Sequence, residues 1–567
     1  MVGAHWLFKK VNKMTTLLSE IQDDLLKNDL DGVLILKSDP FLSGYYAPYK
    51  NRLKDVTSFS GSDGVALVLK QEGILFVDSR YTEQAKIQSD FKVFEVPSET
   101  RLSLWMKENM KGKKVLFDDK VHSLEWVEQM NVLLKESHIT LVSDEKRLFD
   151  KWFKPASFKQ DLFDYDIKFS GSSSDEKIKK VQSYLSEKKL DALFVLSPEN
   201  ASWLLNKRDK NKSDYPVVYK RLIVMKNGDV LDFDENITLL QGLKTAVDLK
   251  KASLYLVNEL KKNNVLIQHE TEIIDELKAQ KNSVEIQNIK EACLFESVVI
   301  SKFLAFVEQY KETITEIDCD EKLKEFRALS SLYFYDSFQT IAASGPHAAQ
   351  AHYAATKKTN AKIIDYPMLL VDTGGHYLNG TTDMTRTIAI GSVTPLMKQR
   401  YTEVLKGHIQ VALSSLKEGD STALMDEKAH QYLRASGVDY YHSTGHGIGM
   451  MLGVHEYPPA IHAKDEKGLN AGMVFSNEPA YYSAEEGFGI RLENMLLSVK
   501  KEDGGLEFEN LLFIPFDYRL VDFELLSDQE KEWLKAYHQK IKDIILPNLT
   551  DDEKEILMPF ILAFVKG

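Results

Sequence analysis

The sequence predicts a mixed α/β (α+β) chain of three domains, the first two related to each other and the third carrying the chemistry. Three observations predict it. First, a helix followed by a buried strand occurs twice. Leu30-Asp31-Gly32-Val33-Leu34-Ile35-Leu36 follows an amphipathic helix over Thr16–Asn28, and Leu190-Asp191-Ala192-Leu193-Phe194-Val195-Leu196 follows one over Asp175–Lys189. Second, Ser170-Gly171-Ser172-Ser173-Ser174 between the copies has the composition of a flexible linker. Third, nine of the 14 histidines lie between His347 and His462, about a fifth of the chain, with no cysteine partners of a structural zinc site. The 567 residues exceed one domain at roughly 100–200 residues each. The boundaries fall at 1–157, 158–280 and 281–567.

In the first copy, Gly64–Leu69 and Gly73–Asp78 read as paired strands. In the second, Tyr219–Met225 turns at Asn227-Gly228-Asp229 into Val230-Leu231-Asp232, and the copy ends in charged helical segments over Lys244–Asn264 and Thr271–Lys281. The third domain opens with a long amphipathic helix, Val284–Tyr310, whose apolar positions include Ile286, Ile289, Leu304 and Phe306. It closes with two helices, Asp528–Leu546 and Thr550–Val565, broken at Pro547-Asn548.

Composition narrows the function classes. Lys+Arg total 72 against 85 Asp+Glu, a net charge of −13, which argues against a nucleic-acid-coating protein. No apolar run reaches the ~18 residues of a membrane span, so no membrane partner is expected. Two cysteines, Cys293 and Cys319, allow no disulfide framework and suit a reducing cytoplasm. Met1–Lys13 carries three lysines without the apolar core of a secretory signal, and Met14 is an alternative start.

Four stretches carry chemistry. Met368-Leu369-Leu370-Val371-Asp372 is an apolar strand ending on a carboxylate, and after the turn signals Gly374-Gly375 and Asn379-Gly380, Thr381–Ile390 alternates as a half-buried strand. An antiparallel return brings Asp383 beside Asp372, where two carboxylates repel unless a cation or proton intervenes. His442-Ser443-Thr444-Gly445-His446-Gly447-Ile448-Gly449 is too rich in glycine for a helix, so backbone and ligand can approach closely there. A lone histidine in such a loop is equally often a core hydrogen-bonding residue. Met473–Ser476 delivers Asn477-Glu478-Pro479, and the alternation of Gly489-Ile490-Arg491-Leu492-Glu493-Asn494 puts Arg491 and Glu493 on one face. A hairpin can pair Glu478 with Glu493. Two Asp, one His and two Glu are too many acids for one zinc and suit two hard or borderline divalent ions such as manganese. The helical zinc-protease pattern fails, because the position four after His269 is Ile273 and the one four after His455 is Pro459. No Gly-x-Ser-x-Gly or phosphate-binding loop occurs.

Asp372, Asp383, His446, Glu478 and Glu493, in this order and context, resemble the five metal ligands of the pita-bread metallopeptidases. Within that family, Ser344-Gly345-Pro346, His352-Tyr353, Lys406-Gly407-His408-Ile409, Thr444–Gly449 and Gly489–Asn494 are most similar to the cytosolic three-domain Xaa-Pro aminopeptidases. The stretches Phe59–Gly64 and Asp78–Tyr81 resemble the family's first domain. The resemblance implies two creatinase/prolidase-like α/β domains followed by a pita-bread catalytic domain. It implies a homodimeric cytoplasmic enzyme that releases the residue preceding proline at a peptide's N-terminus. Two divalent ions would bridge a hydroxide, manganese first, with zinc and cobalt as alternatives. Glu478 would accept the water's proton, His455 donate to the developing oxyanion, His352 shuttle a proton to the leaving proline nitrogen, and His442 line the proline pocket. Arg491 would orient a carboxylate ligand. His376, His408, His430, His462 and His538 are expected to be structural or surface residues. The chain departs from the family pattern at His347-Ala348, Asn379, Ser443, Tyr457, Asn477 and Ala480, and none of these removes a ligand. The alternatives are a prolidase acting on Xaa-Pro dipeptides and a pita-bread binding protein without catalysis.

Overall fold

The computed structural model describes residues 16–43, 51–78, 81–95, 99–154 and 158–566. Ser79, Arg80 and the stretch before residue 16, with its alternative start, lie outside the described residues. The chain forms two compact units. One is made of residues up to Asp161 together with Ser174–Leu205 and Val218–Ile273. The other contains Leu162–Ser173, Asn206–Val217 and the chain from Ile274 onward.

The first unit holds two sheets built to one plan. In the six-stranded sheet, Gly32–Leu36 is central, antiparallel to Val65–Leu69 on one side and parallel to Lys114–Phe117 on the other. In the five-stranded sheet, Ala192–Val195 takes the same place, antiparallel to Leu222–Met225 and parallel to Lys244–Val247. These are the two strands of the repeated motif, and each is buried along nearly its whole length. Val65–Leu69 and Gly73–Val77 pair antiparallel as their alternation predicts. The segment Lys244–Asn264 is not helical throughout. Lys244–Val247 is a parallel strand whose Thr245, Ala246 and Val247 are buried, and the helix is confined to Leu254–Lys262. Its exposed lysines mask a strand too short for periodicity to reveal.

The second unit is organised around the helix Ser283–Tyr310, which begins at a capping box formed by Asn282 and Glu285. The expected flexible linker is instead packed against this cap. Ser170 is buried, its carbonyl accepts a hydrogen bond from the Asn282 amide, and Gly171 turns with φ +62°, where a Cβ would lie 2.2 Å from Asn282 Oδ1. Serine and glycine serve here as a tight helix stop rather than as a tether. The helices Pro395–Ala412, Asp528–Lys540 and Asp551–Val565 share one apolar core with the sheets below. The last two are joined by a π turn, Ile541–Ile545, and a 3-10 turn, Leu546–Asn548, containing the expected proline break.

Three sheets carry the candidate site. A three-stranded sheet has the order Ile341–Ser344, Met368–Thr373, Met384–Ala389. A six-stranded antiparallel sheet contains His455–Ile461, Gly445–Ile448, Val474–Asn477 and Asn494–Lys500 as successive neighbours. A hairpin pairs Ala480–Ser483 with Phe488–Arg491.

Candidate metal centre

Strand register delivers the acids to one place. Asp372 lies opposite Thr385 and Thr373 opposite Met384, so Asp383 stands one residue beyond the end of the ladder, beside Asp372. Asn477 pairs with Asn494 and Ala480 with Arg491, which leaves Glu478 and Glu493 facing across the break between two sheets. Glu478 N–H donates to the Thr444 carbonyl at 2.8 Å, and Glu493 N–H to the Thr385 carbonyl at 3.0 Å. These bonds tie both glutamates to the strands that bring His446 and Asp383. The glycines around His446 have a steric reason. A Cβ on Gly445 would lie 2.0 Å from the Ser476 carbonyl oxygen, and one on Gly447 would lie 2.6 Å from that of Glu456.

Ligand atoms of Asp383, His446 and Glu493 lie within 4.8 Å of one another. His446 Nδ1 is 2.9 Å from the Gly447 carbonyl, which sets this nitrogen as the donor. Nε2 is then left facing Asp383 at 3.4 Å and Glu478 at 3.3 Å. Asp372 joins the group through Arg491, whose guanidinium donates to Oδ2, and Arg491 also donates through Nε to Thr385 Oγ1 at 3.1 Å. Thr385 in turn donates to Glu493 Oε2 at 2.8 Å, so Arg491 and Glu493 share one partner, as their common strand face predicts.

The electrostatics are those of crowded acids. Burial pushes the Asp372 carboxyl up to about 7, with Arg491 opposing and the charges of Asp383 and Glu478 adding. Burial and the surrounding acids push Glu493 well up, and burial raises Glu478 against the pull of His446. Burial lowers the His446 imidazole, but Asp383 and Glu478 outweigh it and hold the ring at about 9. Two buried carboxylate oxygens, Asp372 Oδ1 and Glu493 Oε1, have no hydrogen-bond donor within the protein. Orphaned buried acceptors are costly unless a proton or cation meets them. This donor set, four carboxylates and one imidazole with two oxygens unmet, fits hard or borderline divalent cations.

The remaining histidines divide. The His455 ring lies beside that of His446, centroids 4.2 Å apart. His442 Nε2 is 3.1 Å from the Tyr482 hydroxyl, and that hydroxyl also accepts from Arg491. His352 is half-buried between Ala351 and Tyr353 in the stretch after the 3-10 turn Gly345–Ala349. His376, His408 and His538 are fully buried, and burial pushes their pKa down to about 4, 3 and 3. His430 is held by Asp426 and Asp439. Tyr482, Thr385 and Ser476, which donates to Glu478 at 2.9 Å, were not among the expected site residues. The alternation Glu478, Ala480, Tyr482 is the signal that points to the tyrosine. The same period places Ser476 two residues before Glu478 and Thr385 two after Asp383.

A model of metallopeptidase family M24 matches residues 287–500, and one of the C-terminal region of that family matches 504–558. Models of the creatinase/prolidase N-terminal domain match 18–147 and 153–237. Xaa-Pro aminopeptidase 1 of Dictyostelium discoideum is 30% identical, covering 98% of this chain and 96% of its own. Xaa-Pro aminopeptidase 2 of Rattus norvegicus is 31% identical, covering 94% and 86%. Among solved structures, the X-prolyl aminopeptidase of Caenorhabditis elegans, described as a cytosolic enzyme with a di-nuclear active site, superposes with a TM-score of 0.87. It is 25% identical, with 97% of this chain and 99% of that one covered.

Proposed function

Because this chain belongs to metallopeptidase family M24, we propose that it is a metal-dependent aminopeptidase releasing the N-terminal residue from peptides whose second residue is proline. The observation that carries the reading is the convergence of Asp372, Asp383, His446, Glu478 and Glu493, with two of their buried oxygens unmet. These five residues would hold two divalent cations. When bound, such a pair supplies Lewis acidity for the scissile carbonyl and an acidified water near neutral pH. Manganese suits the oxygen-rich set best, with zinc and cobalt as alternatives.

The chain's own groups account for the proton movements. Glu478, oriented by the Ser476 hydroxyl, accepts the proton of the attacking water. His455, beside His446, donates to the oxygen that becomes negative in the tetrahedral intermediate. His352 passes a proton to the proline nitrogen as it leaves. His442, braced by Tyr482, lines the proline side of the site. The Xaa-Pro bond is a tertiary amide without an N–H and with φ fixed by the ring. A site that recognises the ring gains selectivity from the features that defeat ordinary peptidases. A homodimer and a cytosolic location accompany this reading, the location following the description of the nematode relative.

The test is hydrolysis of an Arg-Pro-Pro peptide by protein stripped of metal and resupplied with manganese, zinc or cobalt. Glu478→Ala runs alongside, with an Arg-Pro dipeptide as competitor. Metal-dependent release of free arginine, lost in the variant and faster on the longer peptide, is the expected result. Preference for the dipeptide would make the chain a prolidase, and no cleavage with any metal would leave a binding protein on the same fold.

A further inference from the structure

Outside the acid cluster, one more carboxylate organises a stretch that bears on the reaction. Glu316 opens the helix Glu316–Arg327, directly after the capping residue Thr315, and is fully buried. Its Oε1 accepts from the Ser344 N–H at 2.8 Å and from His347 Nδ1 at 2.7 Å. Its Oε2 accepts from the Tyr353 hydroxyl at 3.0 Å and from the Ala361 N–H at 3.1 Å. The His347 and Tyr353 rings stack on one another, centroids 4.2 Å apart. A carboxylate offers about four lone-pair positions, and all four are used here. Every donor lies in 344–361, which after Ser344 closes its strand holds only one short 3-10 turn among the described residues, and which carries His352.

The other side of this stretch is also seated. The Ala348 carbonyl oxygen lies only 1.9 Å from where a Cβ on Gly489 would stand, so the turn presses on the strand Phe488–Arg491 that supplies Arg491. The stretch follows the strand Ile341–Ser344, whose Ile341 pairs with Asp372. A connection of this length would otherwise sample many conformations. Bonds from its beginning, middle and end to one buried anchor select a single path.

We propose that Glu316 is a positioning residue for His352: by fixing both ends of 344–361 it holds this histidine at the reacting bond. The proposal rests on the proton-transfer role given to His352 above. The geometry supports a sharp test, because glutamine has the same shape but only one acceptor oxygen, and on either side its NH2 would face a backbone N–H that can only donate.

The experiment is a double-mutant cycle on the metal-loaded full chain with an Arg-Pro-Pro peptide, using Glu316→Gln, His352→Ala and both together. Glu316→Gln is expected to lower kcat about 10–100-fold, the scale of a misplaced catalytic group, with KM changed less than about threefold. Bound metal should stay at the wild-type amount, and the double variant should be no slower than His352→Ala alone. Independently of activity, the Ser344 and Ala361 amides should exchange with solvent at least about tenfold faster in Glu316→Gln. Should Glu316→Gln not fold, Tyr353→Phe removes one of the four donors and should move the same readouts in the same direction. A costly His352→Ala with losses that multiply in the double variant overturns the positioning and leaves the histidine's role intact. An unimpaired His352→Ala overturns both.

Discussion

The buried acids of the proposed metal centre make opposite demands on the protein with and without cations. In the metal-free state Asp372 holds its proton up to about pH 7, and Glu478 and Glu493 are pushed in the same direction. The unfolded chain releases those protons near pH 4. A raised folded pKa stabilises the fold below the unfolded value and loses that contribution as pH rises through the folded value. His446, held at about 9, acts with the same sign over a higher window. Chelated protein is therefore expected to lose thermal stability steadily from pH 5 to pH 8, while metal-loaded protein does not. Loading at pH 6 in weak buffer should release protons. Melting curves across that range check it, and parallel curves with and without metal would remove the cation from the account. At this scale the sequence was informative about which acids converge and poor about their supports. Carboxylates at strand ends advertise themselves, whereas Thr385 is an ordinary strand residue until the register sets it against Glu493, and Ser476 supports Glu478 from two residues away.

Among the elements, the strand Gly445–Ile448 has no room for a side chain at its first residue. Its neighbours approach so closely that a methyl group at Gly445 would meet the Ser476 carbonyl oxygen at 2.0 Å and Ile461 Cγ1 at 3.1 Å. Backbone on one side and a packed core residue on the other cannot both yield. Gly445→Ala is expected to displace the strand, lower kcat/KM at least about a hundredfold and weaken metal binding, because His446 is the next residue. Metal titration with steady-state kinetics checks this, and retention of wild-type values would show that the strand can shift freely. The glycine-rich motif was legible as a place of close approach, but the approaching group was not. The segment Lys244–Asn264 shows the converse. Its lysines and charged positions favour a helix, and only parallel pairing with Ala192–Val195 and Leu266–His269 reveals the short strand Lys244–Val247.

For the whole molecule, the unit bearing the candidate site is assembled from three separate stretches of chain. Arg208, in one of the two inserted stretches, is buried and spends its guanidinium on backbone carbonyls. It donates to Met451 at 2.5 Å, Met450 at 2.9 Å and Lys207 at 3.0 Å. Its charge rests over the Tyr165 ring at 4.3 Å, and burial pulls its pKa down to about 10. In the same unit His376 Nε2 is 2.9 Å from the Asp214 carbonyl. Arg208→Ala, which strips these carbonyls of a donor, is expected to destabilise this unit by roughly 2–4 kcal/mol. A chain starting at residue 281 should be less stable than the full chain for the same reason. Chemical denaturation read on the activity-bearing transition tests both.

Much was present in local order alone. The two repeated strands, the long helix after residue 283 and the five acid and imidazole residues follow from apolar runs, alternation and caps, which neighbouring residues determine between themselves. What the chain order could not contain is which groups meet across a hundred residues or more. The meeting of Thr385 with Glu493 and of Arg491 with Asp372 depends on register. So do the two oxygens left without donors. The anchoring of 344–361 on Glu316 and the recruitment of 162–173 and 206–217 into the catalytic unit depend on packing between distant segments. Such contacts are settled by shape and burial in the assembled fold, because no local preference of serine, glycine or arginine distinguishes a tether from a keystone.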